Sequence, residues 1–373
     1  MTKTITQAPF RADHVGSLLR PSRLHEARSD FKKGSISAEQ LRNVENEEIK
    51  RVVDKQIDAG LQAVTDGEFR RTFFHLDFME HLNGFEGYVP DHGYAFKGQE
   101  SEKRNVWNTG EISFNPDHPF LRDVEDLIDI VDGRAAVKFA IPSPNMFFND
   151  GIRNPDIYPN LEKYAEDIIK TYQDAIQAFY DAGLRYLQLD DVYVAGLAAD
   201  NVPWNEDLGE QRDYRIDLAV RVLNESLAKK PGDLTVTVHL CRGNYRSTWA
   251  FEGSYDRIAP KLFAKGNVDG FFLEYDDERS GGFNPLEHIP EEGPRVVLGV
   301  ITSKSGELED RDDVIRRIKR ASDYVPLEQL CLSPQCGFAS THHGNELTEG
   351  QQWEKLKFVA DVAEEVWGSF EIK

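Results

Sequence analysis

Short apolar runs recur along the chain, each closed by a polar or glycine-bearing turn, and they alternate with longer stretches of helical spacing. Eight runs read as buried strands by length and β-branched content. They are RADHVGSL (11–18), LQAVTDGE (61–68), AAVKFAIPSP (135–144), LRYLQLDDV (184–192), LTVTVHLCRG (234–243), GFFLEYDD (270–277), RVVLGVITSK (295–304) and EQLCLSPQCG (328–337). Most of the gaps hold apolar residues at helical spacing, as in RDYRIDLAVRVLNESLAKK and RDDVIRRIKRASDYV. Two segments repeat one unit: QIDAGLQAVTDGE (56–68) and FYDAGLRYLQLDD (179–191) share Asp-Ala-Gly-Leu, an apolar stretch, then acids. In both, the glycine falls where a helix wants a left-handed C-terminal residue. Ser37 and Gln40 form a capping box for the helix before the first of them.

Strands alternating with helices predict a single (β/α)8 TIM barrel, with residues 1–373 as one domain. A doubly wound open sheet competes, but the chain has no glycine-rich phosphate loop to support it. Segment 83–113, rich in glycine and aromatics and poor in helical pattern, reads as a hairpin-like insertion after strand two. A lid and a surface or dimer contact are both open for it.

Composition narrows the function. The 373 residues are 40% hydrophobic and 29% charged, which suits a folded protein with a large core. A net charge of −21 argues against nucleic acid or an anionic membrane surface as partner. No apolar run approaches the roughly 18 residues of a membrane span. The first residues, MTKTITQAPFRADHVG, lack the apolar core of a signal peptide. Three cysteines (Cys241, Cys331 and Cys336) are too few for a disulfide framework, so a reducing cytoplasm is expected. An oligomer is compatible with all of this.

The carboxyl ends of barrel strands are where catalytic groups collect. Here they carry His14 to Ser17, Asp66 with Glu68, Asp190 with Asp191, His239 with Cys241, Glu274, Ser303 with Lys304, and Cys336. His239 and Cys241 are two apart and share a strand face. Taken alone, that pair reads first as a buried histidine beside a small apolar thiol. With Glu274 and Cys336 it becomes a nitrogen, an oxygen and two sulfurs, a donor set that suits Zn2+ and disfavours magnesium or calcium. A carboxylate in the set points to chemistry, because an incoming thiol can displace it. Cys331, inside its strand, reads as core.

The motifs HVGSLLRP, DGEFRR, LQLDD, HLCRGN, FFLEYD, LGVITSK and SPQCGF together resemble those of cobalamin-independent methionine synthase. The resemblance spans nearly the whole chain, but only the catalytic half of the long two-barrel members, and it is closest to short bacterial single-barrel relatives. It implies His239, Cys241, Glu274 and Cys336 as zinc ligands. It also implies Val15, Gly16, Ser17, Glu68 and Asp190 as a homocysteine site, the carboxylates holding the amino group and the Ser17 turn the carboxylate. The implied reaction moves a methyl group from a methylated folate, or a smaller donor, to the homocysteine thiol, forming methionine.

The donor side departs from the family pattern. Lys304 stands where long members carry a histidine, so it is the candidate general acid or donor contact. After strand three the chain has Ile141-Pro142-Ser143-Pro144, then Phe147 and Phe148, with no tryptophan. Two other readings stay open: alkylation of a thiol by a non-methyl electrophile such as an epoxide, and a zinc- or thiol-binding barrel without turnover. Arg242 is expected to balance the charge of the two thiolates. For His14, Arg70, Arg71, His342 and His343, structural and functional roles are both open.

Overall fold

The computed structural model describes residues 8–149, 151–200 and 209–368. Seven parallel strands form one curled sheet, in chain order. They are β1 (Ala63–Val64), β2 (Ala136–Pro142), β3 (Tyr186–Asp191), β4 (Thr235–Leu240), β5 (Gly270–Glu274), β6 (Arg295–Ile301) and β7 (Leu330–Pro334). Strands β3, β4, β5 and β7 are buried at every residue. That is what a parallel sheet covered by helices demands of its sequence.

The remaining stave, expected as a strand over 11–18, is irregular. Ala12 bridges Leu332 of β7, with the Asp13 N–H donating to Leu332 O at 3.0 Å and the Leu332 N–H to Arg11 O at 2.8 Å. Toward β1 the contacts are scattered instead of laddered. The Leu18 N–H donates to Gly67 O at 3.0 Å, and Thr65 Oγ1 to Gly16 O at 2.6 Å. Gly16, at φ 128°, carries the chain off the strand path. The product is the expected (β/α)8 barrel, with seven regular strands and one irregular stave.

Helices α1 (Ser22–Lys32), α2 (Ala38–Asp58), α3 (Pro119–Val131), α4 (Leu161–Asp181), α5 (Gly209–Leu227), α6 (Ala259–Lys265), α7 (Arg311–Ala321) and α8 (Glu349–Trp367) surround the sheet. The Ser37–Gln40 capping box opens α2. The repeated unit also folds as its sequence suggests. The Leu61 N–H closes on Gln56 O at 3.2 Å and the Leu184 N–H on Phe179 O at 3.1 Å, through left-handed Gly60 and Gly183. Between β5 and β6 the described chain makes only two 3-10 turns, Glu278–Ser280 and Asn284–His288. Inside the barrel, Lys138 Nζ meets Asp13 Oδ1 at 3.0 Å with both side chains fully buried, and Cys331 packs with Val15, Phe272 and Val297.

Segment 83–113 forms an antiparallel pair, Asn83–Tyr88 with Asn105–Ser113, tipped by a small hairpin of Ala95–Phe96 and Gln99–Glu100. The tip leans on the turn after β4. The Lys97 N–H donates to Trp249 O at 2.9 Å, and Phe96 stacks on Tyr245 with ring centroids 4.8 Å apart.

Candidate metal and substrate site

At the carboxyl end of the barrel, four buried side chains bring their donor atoms within 4.8 Å of one another: His239 from β4, Cys241 just past it, Glu274 closing β5, and Cys336 after β7. His239 Nε2 is 3.9 Å from Glu274 Oε1, and the two sulfurs are 3.7 Å apart. Strand alternation turns His239 and Cys241 to one side, and the end of β5 and the loop after β7 close the set. Neither ring nitrogen of His239 has a hydrogen-bond partner although both are buried, which is the expected signature of a nitrogen meant for a ligand bond.

Burial, reinforced by the Cys241 sulfur, pushes the Glu274 carboxyl up to about 7. Gathering a carboxylate and two thiols in a buried site is costly without a compensating cation. The donor set, its convergence and the orphaned imidazole therefore all fit a tetrahedral zinc ion.

Glu274 is held from several directions. The Arg242 N–H donates to its Oε1 at 2.9 Å and Asn244 Nδ2 to the same oxygen at 2.6 Å. Arg279 Nη2 donates to Oε2 at 3.1 Å. The Arg242 side chain lies over the Tyr255 ring at 4.4 Å, and the guanidinium paired with Glu274 belongs to Arg279. Arg279 also meets Asp276 at 3.3 Å, and Lys304 is ion-paired with that same aspartate. Burial alone would raise Asp276, but Lys304 and Arg279 hold it below its ordinary value.

Three of the four donors, His239, Cys241 and Cys336, line a cavity of about 790 Å3. One wall carries Val15, Ser17, Glu68 and Asp190, and the sheet register sets Asp190 directly beside His239. Gly16 forms the turn between Val15 and Ser17. Gly337 passes so close to Ser17 that a Cβ there would lie 1.9 Å from the hydroxyl oxygen, so only glycine fits. Burial pushes the Asp190 carboxyl up to about 7, with His239 opposing and Glu68 adding. Glu68 is likewise raised by burial, against the pull of Arg71 and Arg20. Its Oε2 has no hydrogen-bond partner, and Arg71 Nη1 stands 3.6 Å from Oε1.

Phe73, Tyr94, Phe96, Phe148, Tyr193 and Trp249 line the same space and form its aromatic wall. The tryptophan among them comes from the turn after β4. Trp249, Arg279 and Asn244 escaped the sequence reading. The HLCRGN motif contains Asn244, so its place three residues after Cys241 was the available signal. Nothing local marks the other two.

Of the other expected residues, Lys304 does not line the cavity; its ammonium sits on Asp276, 5.7 Å from the centroid of the Trp249 ring. His14 points into the barrel seam, its Nε2 3.3 Å from Ala63 O. Arg70 pairs with Glu45, Asp123 and Asp126. His342 and His343 lie at the rim, both against Glu102.

A sequence model of the cobalamin-independent synthase catalytic domain matches residues 10–364. The uncharacterized protein YxjG of Bacillus subtilis (strain 168) is 50% identical over 361 residues, 96% of this chain and 95% of that one. A solved Listeria monocytogenes structure superposes with a TM-score of 0.80 at 42% identity, covering 98% of this chain and 100% of the other. The fold is also that of a B12-independent methionine synthase from Shewanella sp. W3-18-1 solved in complex with selenomethionine, with a TM-score of 0.71 at 21% identity over 95% of this chain and 97% of that one. A match that runs across the barrel and takes in all four candidate donor residues leaves one assignment: the chain belongs to the cobalamin-independent synthase catalytic-domain family.

Proposed function

We propose that the protein transfers a methyl group to the thiol of homocysteine, forming methionine, with zinc held by His239, Cys241, Glu274 and Cys336. The observation that carries this reading is convergence: a nitrogen, an oxygen and two sulfurs gather within 4.8 Å of one another, and all but the Glu274 oxygen face a cavity that two buried carboxylates also line. Zinc bound there would supply a cation that keeps an incoming thiol deprotonated as the nucleophilic thiolate.

The chain's own residues do the positioning. Glu68 and Asp190 take the ammonium of the amino acid, and Ser17 with the Val15–Gly16–Ser17 turn takes its carboxylate, which fixes where the sulfur reaches. Ionised carboxylates suit an amino-acid thiol far better than a sulfonate thiol, which favours this reading over epoxide-type alkylation. The aromatic wall offers flat faces to a methylated pterin or a smaller aromatic-binding donor. The sulfur–carbon bond forms as the donor's carbon–nitrogen bond breaks. The electron pair passes to that nitrogen, which takes a proton. Lys304 is the cation behind Trp249 and delivers a proton only by leaving Asp276. Segment 83–113 serves as the cover over the donor side.

The test is zinc content of the untagged protein, wild type beside Cys336→Ser, with homocysteine added to see whether its thiol alters the metal's surroundings. Methionine formation is then screened with methyltetrahydrofolate bearing one or three glutamates and with smaller methyl donors. One zinc per chain, lost in the variant and perturbed by homocysteine, together with methionine formed from at least one donor, is the expected result. A wild type that neither contains nor accepts zinc sinks the reading.

A further inference from the structure

A second convergence of metal-ligating atoms lies at the rim, away from the sulfur site. Glu102, on the arm of the 83–113 insertion, meets His342 and His343, on the loop after β7. His342 Nε2 lies 3.3 Å and His343 Nε2 3.2 Å from the same oxygen, Glu102 Oε1. The two imidazoles face each other with centroids 4.0 Å apart. Both side chains are about three-quarters buried, whereas Glu102 is half exposed.

Geometry separates this cluster from a chance surface contact. His343 Nδ1 also lies 3.2 Å from Thr341 Oγ1, a contact that holds the ring in place while its Nε2 faces Glu102. In a tetrahedral site with metal–nitrogen and metal–oxygen bonds of about 2.0–2.1 Å, neighbouring donor atoms are about 3.3 Å apart. The two Nε2–Oε1 separations match that edge. They lie at or just beyond the long end, about 3.2 Å, of an ordinary N–H···O hydrogen bond.

We infer that Glu102, His342 and His343 form a second divalent transition-metal site, which clasps the insertion to the last barrel loop at the cavity rim. Two imidazoles and one carboxylate with an open fourth position suit zinc, cobalt or nickel. The clasp ties the two sides of the cavity mouth. Tyr245, stacked on Phe96 of the insertion tip, also meets the His343 ring at 5.8 Å. Of the nearby cations, Arg20 is turned away, donating to the backbone oxygens of Leu18, Ala339 and Glu68. This inference rests on the rim geometry alone and is independent of the methyl-transfer reading.

Cobalt(II) titration of the metal-depleted full chain tests it, because the two sites differ in colour. Cobalt at the cysteine site shows sulfur-to-metal charge-transfer absorption, whereas cobalt at the rim shows only weak ligand-field bands. Wild type is expected to take two ions, and His343→Gln to keep the thiolate-coloured ion while losing the other. The double variant Cys241→Ser with Cys336→Ser is expected to keep only the rim ion. In that double variant, cobalt should also slow proteolysis within 83–113, and adding His343→Gln should abolish the protection. Should the double variant fail to fold, the comparison of wild type with His343→Gln decides. A wild type that binds only the thiolate-coloured ion, with His343→Gln unchanged, overturns the rim site. Loss of the thiolate-coloured ion alone would instead count against the catalytic reading.

Discussion

Arg279 donates from Nη2 to Glu274 Oε2 at 3.1 Å while its guanidinium lies 4.6 Å over the Trp249 ring, so one side chain ties a candidate metal-ligand carboxylate to the aromatic wall. The link continues through Asp276 to Lys304, making a row of alternating charges behind the cavity. Buried as it is, Arg279 has the geometry of a group that aims a ligand and sets its basicity.

Arg279→Met keeps the bulk but removes the charge, leaving Glu274 to Asn244 and the Arg242 backbone. Zinc affinity measured against a competing chelator should fall about 10–100-fold, the usual effect of losing such a partner. Arg279→Lys should recover part of it. Unchanged affinity in a folded Arg279→Met variant would mean that the pair is merely structural.

Much of this site was legible because strand chemistry is local. His-x-Cys at a strand end, a glutamate closing an apolar run and a cysteine just past another are each readable within ten residues, and the barrel rule gathers them. Long-range partners were not readable. Arg279 and Trp249 come from loops whose direction depends on how the insertion tip and the 3-10 turn at Glu278–Ser280 pack. The 11–18 stave was overestimated because its apolar pattern conceals a glycine turn at Gly16 and an inward ion pair at Asp13. The place of Lys304 was readable, but the two aspartates that claim it, Asp276 and Asp277, were legible only as the polar end of a strand.

The cysteine pair should report on the metal without any turnover. All three cysteines are free thiols, and the Cys241 and Cys336 sulfurs, 3.7 Å apart, need only a small movement to join. Contact with Cys336, with His239 adding, lowers Cys241 well below the ordinary thiol value, so the pair shares a thiolate that can attack once the partner sulfur is oxidised. Chelator-treated protein exposed to a mild oxidant should fall from three titratable thiols to one, with a 241–336 crosslink in its peptide map. Zinc-loaded protein should keep all three. Equal oxidation in both states would argue that no metal protects the pair.

Trp249 and the insertion tip should govern donor rather than thiol binding. Trp249→Ala removes a face of the aromatic wall together with the stacking partner of Arg279 and Lys97, which lies 4.6 Å over the ring. Loss of one aromatic contact of about 0.5–1.5 kcal/mol should weaken donor binding by several-fold to tenfold, on top of the lost burial. The KM for homocysteine should change far less. Phe96→Ala should act in the same direction, since it releases the tip from Tyr245. If both variants shifted the homocysteine KM instead, the walls of the cavity would have to be reassigned.

Asp190 carries a pH signature whose sign follows from burial. Its carboxyl is pushed up to about 7, whereas in the unfolded chain it titrates near 4, at about 3.9. Between those values the folded state holds a proton that the unfolded state has released. The stability this proton contributes is therefore complete below about 3.9 and is lost as pH rises through about 7. Asn never ionises, so Asp190→Asn should melt at a higher temperature than wild type at pH 8, with the gap closing toward pH 4. Binding should move the other way. Only the ionised carboxylate attracts an ammonium, so wild-type affinity for homocysteine or methionine should strengthen as pH rises through about 7, and the variant should lose both that rise and much of the affinity. Thermal melts and calorimetric titrations of metal-depleted protein across pH 5–8.5 or so, within the window where these groups titrate, would check both halves. A variant that binds methionine as tightly as wild type at pH 8 would remove Asp190 from the amino-group contact and leave Glu68 to carry it alone.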